Sequence, residues 1–255
     1  MNPEPERRRP RGVYLLPNAF TSASLFCGFY AIVQAMHGRF EAAAVAIFIA
    51  MVLDGLDGRV ARMTDTQSAF GAQYDSLSDM VSFGVAPALV MYEWALRDLG
   101  RMGWLAAFVY VAGAGLRLAR FNTNIGVVDK RYFQGLPSPA AAALVAGLIW
   151  IVTDLIDSGM LERPPYMSWV AWALTAYAGV TMVSAAPFYS FKHINLRRRV
   201  PFVVAVAIVL GLVLITSYPP GVLFLLFVAY GLSGYLLWFL RWRAGKRLPW
   251  REMER

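Results

Sequence analysis

Four aspartates within 26 residues carry most of the chemistry this sequence can do. The run Asp54-Gly55-Leu56-Asp57-Gly58-Arg59-Val60-Ala61-Arg62 is followed, after a polar stretch from Met63 to Phe70, by Gly71-Ala72-Gln73-Tyr74-Asp75-Ser76-Leu77-Ser78-Asp79. Spacings of three and four put Asp54, Asp57, Gly58, Ala61 and Arg62 on one helical face, and Gly71, Asp75 and Asp79 on one face of the next helix. Two adjacent antiparallel helices would then present four carboxylates to one point. Such groups repel, and each costs roughly 2.5–3.5 kcal/mol even singly at a bilayer centre. An all-oxygen set without cysteine or histidine suits a hard divalent cation, Mg²⁺ or Mn²⁺, rather than zinc or copper. Two such ions bridged by the carboxylates would neutralise about four charges and clamp a phosphate ester. Gly58 and Ala61 leave room for a bulky ligand at the helix backbone, and Arg62 is placed to meet a phosphate. The bland alternative is a structural cluster paired with Arg59, Arg62 and headgroup water; an ion or proton pathway is another. Four carboxylates in register with glycines and an arginine favour the phosphate-ester site.

The elements that must position these groups are membrane helices. Of 255 residues only 16% are charged, 58% are hydrophobic, and mean hydropathy is +0.49. These values exclude an ordinary cytosolic globule, at about 25% charged, and a disordered chain. The single cysteine, Cys27, excludes a disulfide scaffold and reads as packing. Apolar stretches of spanning length fall near 19–36, 41–62, 79–96, 102–120, 138–157, 166–187, 200–217 and 220–240. The expected fold is therefore all-α and polytopic, with about eight transmembrane helices. The first stretch follows Arg7-Arg8-Arg9-Pro10-Arg11 but lacks a small-residue cleavage site, so it reads as a retained helix.

Eight spans put both termini on one side, and that side receives 20 of the 24 Lys and Arg residues. Only Arg39, Arg97, Arg101 and Arg163 fall on the other. This positive-inside pattern predicts cytoplasmic termini and a cytoplasmic aspartate site in the cell (inner) membrane. The net charge of +8 is thereby explained by topology and anionic lipid, with no nucleic-acid partner implied.

The spacing Asp54-x2-Asp57-Gly58-x2-Ala61-Arg62-x8-Gly71-x3-Asp75-x3-Asp79 resembles the complete motif of the CDP-alcohol phosphotransferase family, membrane enzymes that transfer a phosphoalkyl or phosphatidyl group from a CDP-linked donor to an alcohol and release CMP. Further stretches are similar to the bacterial and archaeal phosphatidylserine synthase subgroup. They include Leu16-Pro17-Asn18-Ala19-Phe20-Thr21, Ser82-Phe83-Gly84-Val85-Ala86-Pro87-Ala88, Arg117-Leu118-Ala119-Arg120-Phe121-Asn122, Phe133 to Ala140, and Phe188-Tyr189-Ser190-Phe191-Lys192. The resemblance implies CDP-diacylglycerol and L-serine as substrates, Mg²⁺ or Mn²⁺ as cofactor (two ions), and a homodimer among membrane lipids. It implies that Asp54, Asp57 and Asp75 bind metal, and that Asp79 shares the second ion and acts as general base. Gly58, Ala61 and Arg62 would border the CDP moiety, with Gly71 and Asn18 close by. It also implies a six-helix core over 13–192 followed by two further helices over 193–241, between basic tails at 1–12 and 242–255.

Arg117, Arg120 and Lys192 are candidate contacts for a substrate phosphate or the serine carboxylate; snorkelling to headgroups is the alternative. Asp154, Asp157, Glu162 and Arg163 read as a solvated loop on the far side. Pro137-Ser138-Pro139 reads as a helix start. Another alcohol acceptor, glycerol 3-phosphate or inositol phosphate, is the rival within the class. A cation transporter using the aspartates is the rival outside it. Transporters often break helices at mid-membrane, whereas these aspartates lie toward a cytoplasmic edge.

Overall fold

A computed structural model describes residues 15–64, 68–123, 132–190 and 202–244. Two long helices, α1 (Leu15–Met36) and α2 (Phe40–Thr64), form a hairpin. Then α3 (Ala69–Asp79) opens on an N-cap, the Ser68 hydroxyl accepting from the Gly71 N–H at 3.0 Å, which satisfies a donor that helix ends leave orphaned. Its backbone stays helical through a π turn (Met80–Val85), α4 (Ala86–Met91), a second π turn (Tyr92–Leu96) and a 3₁₀ turn (Arg97–Leu99). There follow α5 (Arg101–Thr123), α6 (Ser138–Asp157), α7 (Met167–Val183), α8 (Phe202–Ser217) and α9 (Pro219–Arg243). Among the described residues the helices thus make eight columns, one for each expected span.

The first π turn has a local cause. Pro87 carries no N–H, so an α-helix here would leave the Phe83 carbonyl without its donor four residues on. The helix widens over this turn, and the hydroxyl of the fully buried Tyr110, on α5, donates to Phe83 O at 3.0 Å. A proline and a tyrosine on different helices thus share one repair, just beyond Asp79.

Among the described residues four helices are long and apolar enough to cross a membrane: Pro17–Met36, Arg101–Thr123, Ser138–Asp157 and Pro219–Arg243. The chain is a multi-pass membrane protein. In lipid, helices associate through close packing rather than through the hydrophobic effect, so small residues dominate their contacts. The central helix α6 obeys this rule: Ala140, Ala141, Ala142, Ala143, Ala146 and Gly147 are buried, and it touches α2, α4, α7 and α9. Pro137 and Pro139 start it where expected. Where α5 crosses α7, a Cβ on Gly113 would lie 2.4 Å from Gly179 O, so the two backbones approach as only glycine allows.

Two details lie beyond the all-α expectation. The sixth span, expected over 166–187, ends as helix at Val183 and yields to a short strand β2 (Pro187–Tyr189). This strand pairs antiparallel with β1 (Tyr132–Gln134), Phe133 opposite Phe188. The final helix packs on this ladder and on α6. It is held by Tyr230 Oη donating to Tyr189 O at 3.1 Å, Tyr177 Oη donating to Gly231 O at 2.9 Å, and a Thr181–Tyr235 hydroxyl pair at 2.9 Å. On the far side Asp157, Glu162 and Arg163 are exposed, as a solvated loop requires, and two of its charged residues also make contacts. Arg163 donates to Trp94 O at 2.6 Å and stacks on the Trp94 ring, and Asp154 accepts from Tyr218 at 3.0 Å.

Candidate active site

The aspartates converge as the helical register requires. Carboxylate oxygens of Asp54 and Asp57 on α2 and of Asp75 on α3 all lie within 4.8 Å of one another. Asp79, one turn beyond Asp75, comes within hydrogen-bonding reach of the Asp54 carboxyl group and faces Asp75 electrostatically. Its Oδ1 is buried without a hydrogen-bond partner. Buried polar atoms are almost always satisfied, so an orphaned oxygen among three other carboxyls calls for positive charge. Hard oxygen donors, close convergence and the orphaned atom together fit a divalent cation held by Asp54, Asp57 and Asp75 with Asp79 beside them.

Helix α1 supplies the third wall. Thr21 donates to Asp57 Oδ2 at 2.8 Å, and the Thr21 carbonyl accepts from Ser78 Oγ at 3.1 Å. One turn deeper, Ser24 donates to Ala50 O at 3.0 Å and receives Ser82 Oγ on its own carbonyl at 3.1 Å. One turn deeper still, a Cβ on Gly28 would sit 2.7 Å from Ser82 Cα. Asn18 reaches the aspartate end of this wall: its Oδ1 would lie 3.6 Å from a Cβ on Gly71. Asn18 and Gly71 therefore adjoin.

Arg62 folds back over Gly58, with Nη1 3.6 Å from where a Cβ on Gly58 would be. That is ordinary contact, so the chain's own packing does not demand glycine at 58. Ala61 is half-buried and Arg62 exposed, leaving this face open. Arg117 on α5 is the nearest counter-charge from outside the motif. It is half-buried, donates to the Ser138 hydroxyl and lies within electrostatic reach of Asp79, Asp54 and Tyr230. Arg120, one turn on, donates to Val183 O at 3.0 Å and so ties α5 to the end of α7. Lys192 lies outside the described residues.

The family profile described as CDP-alcohol phosphatidyltransferase matches residues 14–183. The chain belongs to the CDP-alcohol phosphatidyltransferase family. The match covers every wall described so far: α1, both aspartate helices, Arg117 and Arg120. Members of this family depend on divalent metal, and the carboxyl cluster is where this one can hold it. Similar relatives span three domains of life. The chain is 35% identical over 225 residues to the CDP-diacylglycerol--serine O-phosphatidyltransferase of Helicobacter pylori (strain ATCC 700392 / 26695), covering 88% of this chain and 92% of the relative. Proteins of the same name in Methanocaldococcus jannaschii and Saccharomyces cerevisiae are 39% and 38% identical, over 45% and 50% of this chain and 54% and 50% of theirs.

Sequence reasoning missed Thr21, Ser78 and Tyr230. A signal for the first was available: Thr21, Ser24 and Gly28 recur at three and four on one face of α1, a small-residue seam of the kind that marks close helix contact. For Tyr230, 47 residues beyond the family match, nothing in the spacing points to Arg117; only the tertiary fold joins them.

Proposed function

We propose that this protein transfers the phosphatidyl group of CDP-diacylglycerol to the hydroxyl of L-serine, giving phosphatidylserine and CMP. The observation that carries this reading is the convergence of Asp54, Asp57 and Asp75 beside Asp79. It occurs in a chain whose relative of that activity name aligns over nearly its full length.

Asp54, Asp57 and Asp75 would hold one divalent cation, Mg²⁺ or Mn²⁺, and Asp79 would share a second. When bound, such a pair offsets the charge of the donor diphosphate and of the departing CMP. Asp79 takes the serine proton as the new bond to phosphorus forms and the bond to CMP breaks. Positioned general-base catalysis contributes about 10²–10⁴-fold. Gly58 and Ala61 let the nucleotide approach the backbone of α2, and Arg62, swung off Gly58, meets the diphosphate in a charge-assisted contact. Asn18 and Gly71 border the nucleotide. Arg117, held by Ser138 and facing Asp79, is placed to receive the serine carboxylate. Arg120 and Lys192 complete a cationic rim for phosphate.

The reacting phosphorus lies at the headgroup plane, so a site at the helix ends leaves the acyl chains in hydrocarbon while CDP and serine enter from water. The distribution of Lys and Arg supports a cytoplasmic opening in the inner membrane, with both termini on that side. The family resemblance supports a homodimer as the working unit.

The test is CMP release by the detergent-solubilised full chain given CDP-diacylglycerol and Mn²⁺. Serine is compared with glycerol 3-phosphate and inositol phosphate, and Asp79→Asn with the parent. Serine-dependent release, reduced at least about 10²-fold by Asp79→Asn, is expected. Release with another acceptor alone would overturn serine, and none with any acceptor from metal-loaded protein would overturn the transferase.

A further inference from the structure

Thr21 sits on an apolar helix at a position no motif residue occupies, yet it touches both carboxylate-bearing helices. Its hydroxyl donates to Asp57 Oδ2 at 2.8 Å; its carbonyl accepts from Ser78, the neighbour of Asp79, at 3.1 Å. The bland account of a threonine in a membrane helix is a bond back to the carbonyl four residues earlier. That contact exists here as well, to Pro17 O at 3.1 Å. One hydroxyl proton cannot serve two acceptors at full strength, and the shorter contact is the one to the carboxylate. The environment explains why. Asp57 is only 5% exposed, and a carboxylate so enclosed needs donors. Among the described residues the Thr21 hydroxyl supplies one at 2.8 Å.

A carboxylate with one oxygen held by a fixed donor can no longer spin about its Cβ–Cγ bond, so it offers its remaining lone pairs in one direction. Threonine is suited to this task because its branched Cβ restricts the hydroxyl to few rotamers in a helix. The backbone contact to Ser78 sets the distance between α1 and α3 at the same level. We propose that Thr21 is a positioning residue for the metal site, its hydroxyl fixing the Asp57 carboxylate and its backbone locking α3 so that Asp57 meets Asp54 and Asp75 at ligand spacing. This rests on the cation site proposed above.

The test is Mn²⁺ binding to the full chain in detergent, followed by calorimetric titration and by the Mn²⁺-induced rise in melting temperature. Thr21→Val keeps the shape and removes the donor, so its Mn²⁺ dissociation constant should rise about tenfold or more, the loss typical when a ligand's hydrogen-bond partner is deleted. Thr21→Ser keeps the donor and should stay within about threefold of the parent. Ser24→Ala removes a contact of the same seam that touches no carboxylate and should leave Mn²⁺ affinity unchanged. Should Thr21→Val fail to fold, Thr21→Ala against Thr21→Ser gives the same comparison. Thr21→Val binding Mn²⁺ as the parent does would overturn the inference and leave the cation site standing. Equal losses in Ser24→Ala and Thr21→Val would also overturn it, because the effect would then be helix packing. A parent that takes up no Mn²⁺ would overturn the cation site and this inference together.

Discussion

The two ends of the bundle treat charge in opposite ways. At the far end, Glu41 accepts from the Trp150 indole at 3.3 Å, Asp154 from Tyr218, and Arg163 is seated on Trp94; Glu93 and Arg97 pair at 3.3 Å one helical turn apart. A hollow of about 500 Å³ lies there among Arg39, Glu41, Trp94, Asp157 and Arg163, with both signs of charge on its wall. At the other end, Asp54, Asp57, Asp75 and Asp79 face one another, and their counter-charges are the exposed Arg62 and an Arg117 that also serves Ser138. The far end sets its charged groups against opposite charges or polar partners, although Gln34 Oε1 and Thr153 Oγ1 are buried there without a hydrogen-bond partner. The aspartate end holds like charges together by packing, a local conflict of the kind that marks a functional site. Because α1, α2 and α3 fix both the aspartates and the hydroxyls between them, the conflict is maintained by the same helices that give the bundle its rigidity.

The comparison breaks most sharply at Asp54. Asp54→Asn should lower CMP release at least about 10²-fold, since transition-state charge stabilisation of several kcal/mol is lost. Its metal-free melting temperature should rise, because a repulsion is removed, and Mn²⁺ should no longer shift it. A fall in metal-free stability would mean that the carboxylates are held together by structure rather than for a ligand.

Gly58→Ala sharpens the same contrast at lower amplitude. Glycine inside a helix costs about 0.5–1 kcal/mol relative to alanine, and a methyl here meets only the mobile end of Arg62. The variant should therefore melt higher yet show KM for the CDP-lipid raised about 10–200-fold, the range for one methyl group in a binding pocket. Unchanged kinetics would remove the nucleotide from this face.

At the far end the expected effects are structural. Arg163→Ala loses a hydrogen bond to Trp94 O and the stacking on its ring, so denaturation should show a loss of about 1–2 kcal/mol with CMP release per folded molecule intact. Glu93→Gln breaks an exposed pair and should change stability by less than about 0.5 kcal/mol; coupling of either change to kcat would mean the two ends communicate.

The aspartate end was legible from spacing because its logic is one-dimensional. Residues at three and four on two neighbouring helices must share a face, and the structure brings together Asp54, Asp57, Asp75 and Asp79 accordingly. Helix limits were legible where chemistry marks them, as at Pro137-Ser138-Pro139. What escaped depends on how helices cross. Thr21 meets Asp57 only because α1 and α2 approach at that level. The π turn at Met80–Val85 needs both Pro87 and a tyrosine on another helix. The three-residue strands β1 and β2 are too short to carry an alternating pattern, and the contact of the exposed Arg163 with Trp94 exists only in the tertiary fold.

The hydroxyl seam of α1 has a consequence for the order of assembly. Among the described residues the four aspartates and the Thr21 and Ser78 contacts beside them belong to the first three helical columns. A growing chain is inserted from its N-terminus, so all the partners of these contacts are made before α5 has left the ribosome. Arg117 and the closing contacts of α9 are added afterwards to a centre already formed.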